Sequence, residues 1–199
     1  MLLFFVSLII CIIAHELGHL IVAKMCKCGV EVFSLGFGKP ILFSKKIGKT
    51  LYQVTPWIFG GYCKLQDETK SSKKKNSFTN LPYRKKAAIT LAGVTVNIVL
   101  GVISILIATS LVRASFIDIR YILLCFGMLN ITLGISNLLP IPALDGSYLI
   151  LVWLEKIYGK KVGYAKMDKI CHWGFIILMA LNIACLPYLY YLIKSGGIR

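Results

Sequence analysis

Long apolar runs separated by short basic segments form the hydrophobic pattern of this chain. Four runs reach the roughly 20 residues that a helix needs to cross the hydrocarbon core of a bilayer. They cover residues of about 1–24, 87–112, 120–154 and 170–193. The third run is too long for one crossing, and Pro140 and Pro142 predict a break in its helix. The pattern predicts an α-helical polytopic membrane protein with about four transmembrane helices, forming one membrane-embedded domain over residues 1–199.

Between the first two apolar runs the pattern changes from helical to alternating. Residues 29–65 place aromatic and β-branched side chains between glycines, which is typical of short strands joined by turns, with Gly48-Lys49 at one hairpin tip. We predict a small membrane-associated β-hairpin or sheet after the first helix. Its open strand edge would bind an extended peptide, whereas the alternative is an ordinary cytosolic hairpin without a ligand. The residues expected to bind such a peptide are Gly36, Gly38, Gly60 and Gly61.

The composition supports a membrane protein and argues against nucleic-acid binding. Hydrophobic residues make up 57% of the chain, above the 45 to 50% or so that is typical of soluble domains. The net charge of +15 would suit nucleic acid only on a soluble surface, but the basic residues cluster between apolar runs. Residues 24–86 hold 14 of the lysines and arginines, and residues 155–169 hold 5. We therefore expect both segments in the cytosol, with the lysine run at 73–75 near anionic membrane lipid.

Residues 15–19 read His-Glu-Leu-Gly-His within the first apolar run. Positions i and i+4 of a helix face the same way, so His15 and His19 would present two imidazole nitrogens to one metal ion. Glu16 stands where its carboxylate reaches a water molecule, which is the division of roles in HExxH zinc peptidases. Two imidazoles and a carboxylate are costly to bury in a span, which favours function over a chance match. We predict one zinc ion per chain, with His15 and His19 as ligands and Glu16 as the catalytic base.

The broken third run ends in the segment NLLPIPALDG at residues 137–146. Its prolines expose backbone groups, which a segment lining a site tolerates and a lipid-facing segment does not. A zinc ion held by two histidines needs a third protein ligand, and Asp145 is the one carboxylate in the other predicted spans. Asn137 offers an uncharged donor to the substrate carbonyl or to the oxyanion that forms on it. The alternative is a proline-kinked helix in which Asp145 and Asn137 serve as caps.

Other polar residues of the apolar runs point to less specific roles. Asn97 follows a stretch of small residues, and we expect it to contact substrate, although a hydrogen bond between packed helices is an equal alternative. The seven cysteines are expected to be reduced thiols. A second metal site at Cys26, Cys28 and Cys63 is a minor alternative, because their spacing is not that of a zinc knuckle. His172 is expected to be an interfacial residue rather than a ligand.

The two motifs together resemble the site-2 protease family of intramembrane zinc metalloproteases. Residues 15–19 match its HExxH motif, and residues 137–146 match its later Asn-x-x-Pro…Asp-Gly motif. The stretches FSLGFGKP and GGYCKL are similar to the bacterial branch that releases sigma factors by cutting membrane anti-sigma proteins. The resemblance implies a zinc endopeptidase of the bacterial cytoplasmic membrane that cleaves single-pass membrane proteins in or near their transmembrane segment, in regulated intramembrane proteolysis. The basic loops place its active site toward the cytosol.

The chain departs from that bacterial branch at two points, and other function classes stay open. It shows no PDZ domain between its second and third spans, and Val94 stands where the family usually has proline. A membrane metal transporter would show internal repeats and a polar path, and neither is visible. A catalytically inactive protein that binds membrane helices would not need Glu16, which is intact. The physiological substrate and the oligomeric state are not set by the sequence.

Overall fold

The computed structural model describes residues 2–68, 74–111 and 117–158, and positions 170, 173–174, 176–177 and 180. Its helices are α1 (Leu2–Met25), α2 (Tyr83–Ser110), α3 (Ile117–Asn137) and α4 (Asp145–Tyr158). Its strands are β1 (Val30–Phe37), β2 (Phe43–Ile47), β3 (Thr50–Val54) and β4 (Trp57–Leu65). A short 3-10 helix at Phe78–Asn80 precedes α2. The described part of the chain is therefore mostly helical, with one group of strands between α1 and α2.

Within the described residues, three helices are long and apolar enough to cross a membrane. They are Leu3–Met25, Tyr83–Ser110 and Ile119–Asn137. These spans confirm the predicted helical, polytopic architecture. The helix α2 begins at Tyr83, earlier than the predicted residue 87, because the extended Pro82 ends the preceding segment and a helix starts readily after proline. The fourth predicted span, residues 170–193, lies mostly outside the described residues.

The third apolar run is interrupted between α3 and α4. α3 ends at Asn137, and the segment with the two prolines follows before α4 begins at Asp145. Gly146 allows this turn to close, since a Cβ atom there would overlap the carbonyl oxygens of residues 138 and 139. α4 has 14 residues and is about 21 Å long, which is shorter than the hydrocarbon core of a bilayer. It is a short helix, and its first residue, Asp145, lies beside α1.

The four strands form one sheet in the order β2-β3-β1-β4. β1 runs parallel to β3 and antiparallel to β4, while β2 and β3 form a hairpin whose turn is Gly48-Lys49. This sheet confirms the small β structure predicted after the first helix. Among the described strands β4 lies at one edge of the sheet, so one side of its backbone has no strand partner. β4 also contacts α1, which brings this edge close to the His-Glu-Leu-Gly-His segment.

A cluster of buried apolar side chains joins the sheet to the helices. It includes Leu20 and Ala23 of α1, Phe33 of β1, Phe78 of the 3-10 helix and Ile89 of α2. Burying one large apolar side chain contributes roughly 1.5–3 kcal/mol. The cluster therefore holds the sheet against one end of α1 and of α2, beside the predicted metal-binding segment.

Lys86 is the most deeply buried charged residue of the described chain, with a fully buried side chain. Its Nζ donates hydrogen bonds to both carboxylate oxygens of Glu155, at 2.8 and 2.6 Å, and to the carbonyl oxygen of Thr79 at 3.0 Å. The sequence predicts Lys86 to lie at the end of a cytosolic segment between two spans. The structure adds that Lys86 belongs to the first turn of α2 and that its ammonium group ties this turn to α4, the helix that carries Asp145.

We expect Lys86→Met to lower the free energy of unfolding by roughly 3–5 kcal/mol, because it leaves a partly buried Glu155 carboxylate without its cation. Denaturant unfolding in mild detergent micelles measures this loss. Lys85→Met is the matched control, since Lys85 is exposed and surface changes usually cost less than about 0.5 kcal/mol. The double change of Lys86 and Glu155 to methionine should recover much of the stability. Equal effects of the two single changes would contradict a stabilising ion pair.

Candidate metal centre

His15 and His19 lie one turn apart on the buried face of α1. Their side chains are largely shielded from solvent, with residue exposures of 6% and 9%. The two Nε2 atoms are 3.2 Å apart. The rings therefore point to one place, as the i, i+4 spacing predicts.

Asp145, the first residue of α4, brings a carboxylate to the same place. Its Oδ2 lies 3.1 Å from His15 Nε2 and 3.2 Å from His19 Nε2. Ligand atoms held about 2.0 Å from one tetrahedral zinc ion are separated by about 3.3 Å, so these three atoms fit one face of such a tetrahedron. Asp145 Oδ2 is buried and, apart from these two imidazole nitrogens, has no partner among the described residues, so a cation bound between the three atoms would balance its negative charge. Within the described residues, this is the one group of three potential metal ligands.

A hydrogen bond orients the second imidazole. His19 Nδ1 donates to the carbonyl oxygen of Ile89 on α2 at 2.8 Å. With its proton on Nδ1, the ring presents the Nε2 lone pair to the other two ligand atoms, which is the usual arrangement of a metal-binding histidine. The α2 backbone therefore fixes both the tautomer and the direction of His19.

Glu16 faces a cavity that also contains His19 and Asp145. The cavity has a volume of about 540 Å³. One wall is a continuous run of β4, residues 61–65. Gly61 permits this contact, because a Cβ atom there would lie 2.9 Å from Glu16 Cγ. The structure thus places a carboxylate, two potential metal ligands and the edge strand of the sheet around one space large enough for a short peptide.

Comparison with known proteins decides the family. The model of a family described as peptidase family M50 matches residues 3–118 and 107–181 of the chain. The chain belongs to peptidase family M50. A site-2 protease from Methanocaldococcus jannaschii has a similar structure, with a TM-score of 0.53 and 24% sequence identity over 96% of this chain and 70% of that protein. The site-2 protease fold expected from the two motifs is therefore confirmed.

Curated relatives of this M50 chain are provisionally named zinc metalloproteases. One from Borreliella burgdorferi is 39% identical over 102 residues, which are 46% of this chain and 23% of that protein. One from Neisseria meningitidis serogroup A is 37% identical over 107 residues, which are 50% of this chain and 23% of that protein. The matches thus span about a quarter of each relative. Membership of the family implies zinc, and the two histidines with Asp145 supply a fitting ligand set.

Glycine at position 93 lets α2 approach the two candidate metal ligands of this M50 protein, His15 and His19. A Cβ atom on Gly93 would lie 2.5 Å from His19 Nε2 and 2.6 Å from His15 Nε2. Gly18 plays a similar part on α1, since a Cβ atom there would lie 2.9 Å from the carbonyl oxygen of Ala92. In the sequence, Gly93 belongs to the stretch of small residues before Asn97, which indicates close helix packing. The structure adds that any side chain here would collide with the imidazoles.

We expect Gly93→Ala to weaken zinc binding by about 10- to 100-fold, the range typical of changes to groups that surround metal ligands. Competition with a chromophoric chelator measures this affinity in detergent. Gly101→Ala is the matched control on the same helix, because its Cβ atom would meet Ile131 Cγ1 at 2.6 Å and no metal ligand. Equal losses of zinc affinity in the two variants would show that helix packing, not contact with the imidazoles, explains the effect.

The four substrate-binding glycines predicted from sequence lie in different surroundings. Gly61 lines the cavity beside Glu16. Gly60 is packed against the ring of Phe37. Gly36 and Gly38 adopt φ angles of 91° and 84°, which L residues rarely adopt, and neither is part of the cavity lining. Their backbone conformation thus shapes the end of β1, while Gly61 is the one of the four that borders the cavity.

The two asparagines predicted from sequence also lie outside the cavity lining. Asn137 donates its Nδ2–H to the carbonyl oxygen of Leu133 at 2.9 Å, within its own helix. Asn97 is fully buried, and neither polar atom of its side chain has a hydrogen-bond partner among the described residues. Its Cβ atom lies close to Gly134 of α3, where a Cβ would be 3.5 Å away. Asn97 therefore lies at the contact between α2 and α3 without the hydrogen bond that the packing alternative expects, and its contact with substrate stays a prediction.

The cysteine alternative for a metal site finds no support in the described residues, where no group of three ligands includes a cysteine. Burial raises the pKa of the Cys28 thiol to about 12. Burial, with the nearby negative charge of Glu16, raises the pKa of the Cys63 thiol well above its usual range. Both are therefore neutral thiols at neutral pH rather than reactive thiolates. His172 lies outside the described residues.

Several residues of the cavity wall escaped the sequence analysis. Tyr62 is the clearest, because its hydroxyl oxygen accepts a hydrogen bond of 2.9 Å from Gln53 Nε2 across the sheet. Gln53 Nε2 also donates to Ser34 Oγ at 3.2 Å. The alternating pattern could have pointed to β4, but not to which of its side chains meet the site. Cys63, considered from the sequence only as part of a second metal site, also lines the cavity. The other lining residues missed are Glu31, Lys64, Leu65, Asp67, Glu68, Phe78, Ile89, Thr90, Ala143 and Tyr148.

Proposed function

We propose that this chain is an intramembrane zinc metalloprotease that hydrolyses peptide bonds in or near the transmembrane segment of single-pass membrane proteins. One observation carries the proposal: His15, His19 and Asp145 converge within 3.2 Å beside the cavity that Glu16 lines. Two histidines and one carboxylate leave a tetrahedral metal one open position, as catalytic zinc sites require. The proposed process is regulated intramembrane proteolysis.

The three ligands would hold one zinc ion per chain. When bound, this ion supplies a Lewis acid that makes water more acidic and polarises a peptide carbonyl. Glu16 takes the proton of the attacking water and later passes it to the leaving amine, which is work for a carboxylate at the cavity surface. Asn137 is proposed to stabilise the carbonyl or the oxyanion by a hydrogen bond. One N–H of its Nδ2 donates to the carbonyl oxygen of Leu133, and the second N–H is the donor that we propose for the substrate.

An intact transmembrane helix hides its peptide bonds in intrahelical hydrogen bonds, so the substrate must unwind before cleavage. The unpaired edge of β4 offers backbone groups to such an extended segment, as in other proteins that bind peptides by strand addition. Residues 61–65 run along the cavity that contains Glu16, so a peptide paired with them would pass the catalytic group. Gly61 leaves room for the peptide, while Gly36, Gly38 and Gly60 would act by shaping the sheet.

The protein is an integral membrane protein, and we place it in the bacterial cytoplasmic membrane with its site toward the cytosol. Lys24 follows His19 by five residues, or about 8 Å along α1, so the metal ligands lie near the basic end of the span. Basic loops stay on the cytosolic side. Anionic lipid near residues 73–75 is the second partner that we propose.

Cleavage of a single-span substrate by the purified protein in lipid vesicles tests this function. We expect new chain ends in or next to the span, loss of cleavage on removing metal with a chelator, and recovery on adding zinc. Mass spectrometry locates the cut. Zinc-loaded protein that captures the substrate without cutting it would overturn the proposal in favour of a helix-binding protein. Uptake of metal into the vesicles without cleavage would overturn it in favour of a transporter.

A further inference from the structure

A groove with apolar walls lies between the start of α2 and the outer side of α4. Tyr83 and Ala87 line it from α2, and side chains between Leu149 and Lys156 line it from α4. Its volume is about 430 Å³. No described residue lines both this groove and the cavity of the proposed active site. We call it the α2–α4 groove.

The rim of the α2–α4 groove is apolar and exposed. Ile150 and Trp153 are 42% and 58% exposed, and Ile157, one turn further along α4, is 54% exposed. A continuous apolar face of this kind is typical of a surface that contacts a membrane. Tyr83 is the first residue of a candidate span, and Tyr and Trp side chains are enriched where a bilayer meets water. The groove therefore opens toward lipid at one end of the spans.

Two cationic groups lie at this end of the groove, close to one aromatic ring. Lys156 Nζ is 5.2 Å and Arg84 Cζ is 5.9 Å from the centroid of the Tyr83 ring. Arg84 Nε donates to the Tyr83 hydroxyl oxygen at 3.1 Å, which leaves its terminal nitrogens to other acceptors. Both cationic side chains are exposed.

Neither cation is neutralised by a carboxylate of the described residues, where the ion pairs involve other side chains. Glu155 is the neighbour of Lys156 in the chain, but both of its carboxylate oxygens accept hydrogen bonds from Lys86 Nζ. Two like charges beside one ring repel each other unless an anion lies between them. The positive charges of Arg84 and Lys156 are therefore available to an anion from outside the chain.

We propose that the α2–α4 groove binds one anionic phospholipid, with an acyl chain along its apolar walls and the phosphate beside Arg84 and Lys156. Guanidinium and ammonium groups donate charge-assisted hydrogen bonds to phosphate. Basic pockets between membrane helices bind anionic lipid headgroups. The groove supplies both parts of such a site, because its apolar walls and its cations are contiguous.

The orientation proposed above places this end of the spans in the cytoplasmic leaflet, which is the leaflet that carries anionic lipid. The site differs from the lysine run at 73–75, where the negative surface potential of the membrane suffices and no groove is needed. Lipid binding here goes beyond the proposed protease function and does not depend on it, so its test needs neither substrate nor zinc.

Quenching of Trp153 fluorescence by brominated lipids tests the proposal, because bromine quenches an indole only at short range. The chain has 3 tryptophans, so Trp57→Phe/Trp173→Phe leaves Trp153 as the single reporter. The protein is placed in phosphatidylcholine vesicles that contain rising fractions of brominated phosphatidylglycerol or, as reference, brominated phosphatidylcholine. We expect the anionic lipid to bind at Trp153 about five- to tenfold better, since one basic residue near a charged membrane surface contributes about fivefold.

Charge variants of the same reporter protein show whether the two cations cause this preference. Arg84→Gln/Lys156→Gln should bring the ratio of the two binding constants close to one. Lys45→Gln/Lys46→Gln on the exposed strand β2 removes the same charge elsewhere and should leave the ratio unchanged. Equal binding of the two lipids before any charge is removed would overturn the proposal, as would equal losses in the two double variants.

A second pair of variants tests the groove itself. Ala87→Phe fills the groove and should bring the ratio toward one although both cations are present. Ala88→Phe is the matched control, because Ala88 is exposed and does not line the groove. An unchanged ratio in Ala87→Phe would overturn the proposal, since the preference would then come from surface charge alone. Trp153 that neither lipid quenches would also overturn it, because protein rather than lipid would then cover the groove.

Discussion

Glu16→Gln is expected to abolish substrate cleavage while zinc stays bound. Glutamine fills nearly the same space between α1 and Gly61, but its amide cannot accept the proton of the attacking water. Loss of a general base typically costs about 10²- to 10⁴-fold in rate. The three proposed ligands are unchanged, so zinc content should equal that of the wild type. Rates with a single-span substrate and metal analysis of the same protein samples measure the two quantities.

Glu16→Asp is the matched control for this substitution. It keeps a carboxylate but draws it back by one methylene, so we expect a rate between those of the wild type and Glu16→Gln. Binding of substrate should survive in all three proteins, because the β4 wall is intact. A wild-type rate in Glu16→Gln would contradict the role of Glu16 as base. Wild-type biological activity in that variant would favour a helix-binding protein.

Asp145→Ala is expected to release zinc and with it all cleavage. The change removes the Oδ2 atom that lies 3.1 and 3.2 Å from the two imidazole nitrogens. Altering a group that only surrounds metal ligands costs 10- to 100-fold in affinity, so loss of a ligand should cost more than about 100-fold. Chelator competition measures the affinity, and the zinc content of the purified protein gives a second reading.

The conservative change Asp145→Asn separates the ligand from the shape of the turn. It keeps the size of the side chain and a neutral oxygen, so zinc affinity should fall between those of the wild type and Asp145→Ala. The turn around Gly146 should fold in both variants, which circular dichroism and unfolding in detergent check. Zinc affinity that is unchanged in Asp145→Ala would separate the two motifs and refute the three-ligand site.

The parts of the site that the sequence predicts are those fixed by local geometry. The spacing of His15 and His19 on one helix makes their nitrogens converge wherever that helix lies. Asp145 could be predicted as a ligand because a charged side chain is costly inside a membrane span, so a single carboxylate there indicates a function. The break after Asn137 follows from two prolines that cannot continue a helix. Each inference depends on a few neighbouring residues, and the structure brings the three candidate ligands together.

The parts that the sequence does not predict depend on contacts between distant segments. The alternating pattern of residues 29–65 predicts strands but not their order, so it cannot say that β4 is the edge beside Glu16. Lys86 reads as one more basic residue between spans, because its partner Glu155 is 69 positions away. Gly93 reads as a packing residue, because its contact with the imidazoles depends on how α1 and α2 cross.

X-ray absorption at the zinc edge of the purified wild-type protein tests the central claim most directly. The structure predicts about one zinc ion per chain, surrounded only by nitrogen and oxygen atoms at about 2.0–2.2 Å. Two of these neighbours should show the outer scattering of imidazole rings. A sulfur neighbour at about 2.3 Å would place the metal on the cysteines instead. That result, or protein that binds no zinc, would contradict a site built from His15, His19 and Asp145.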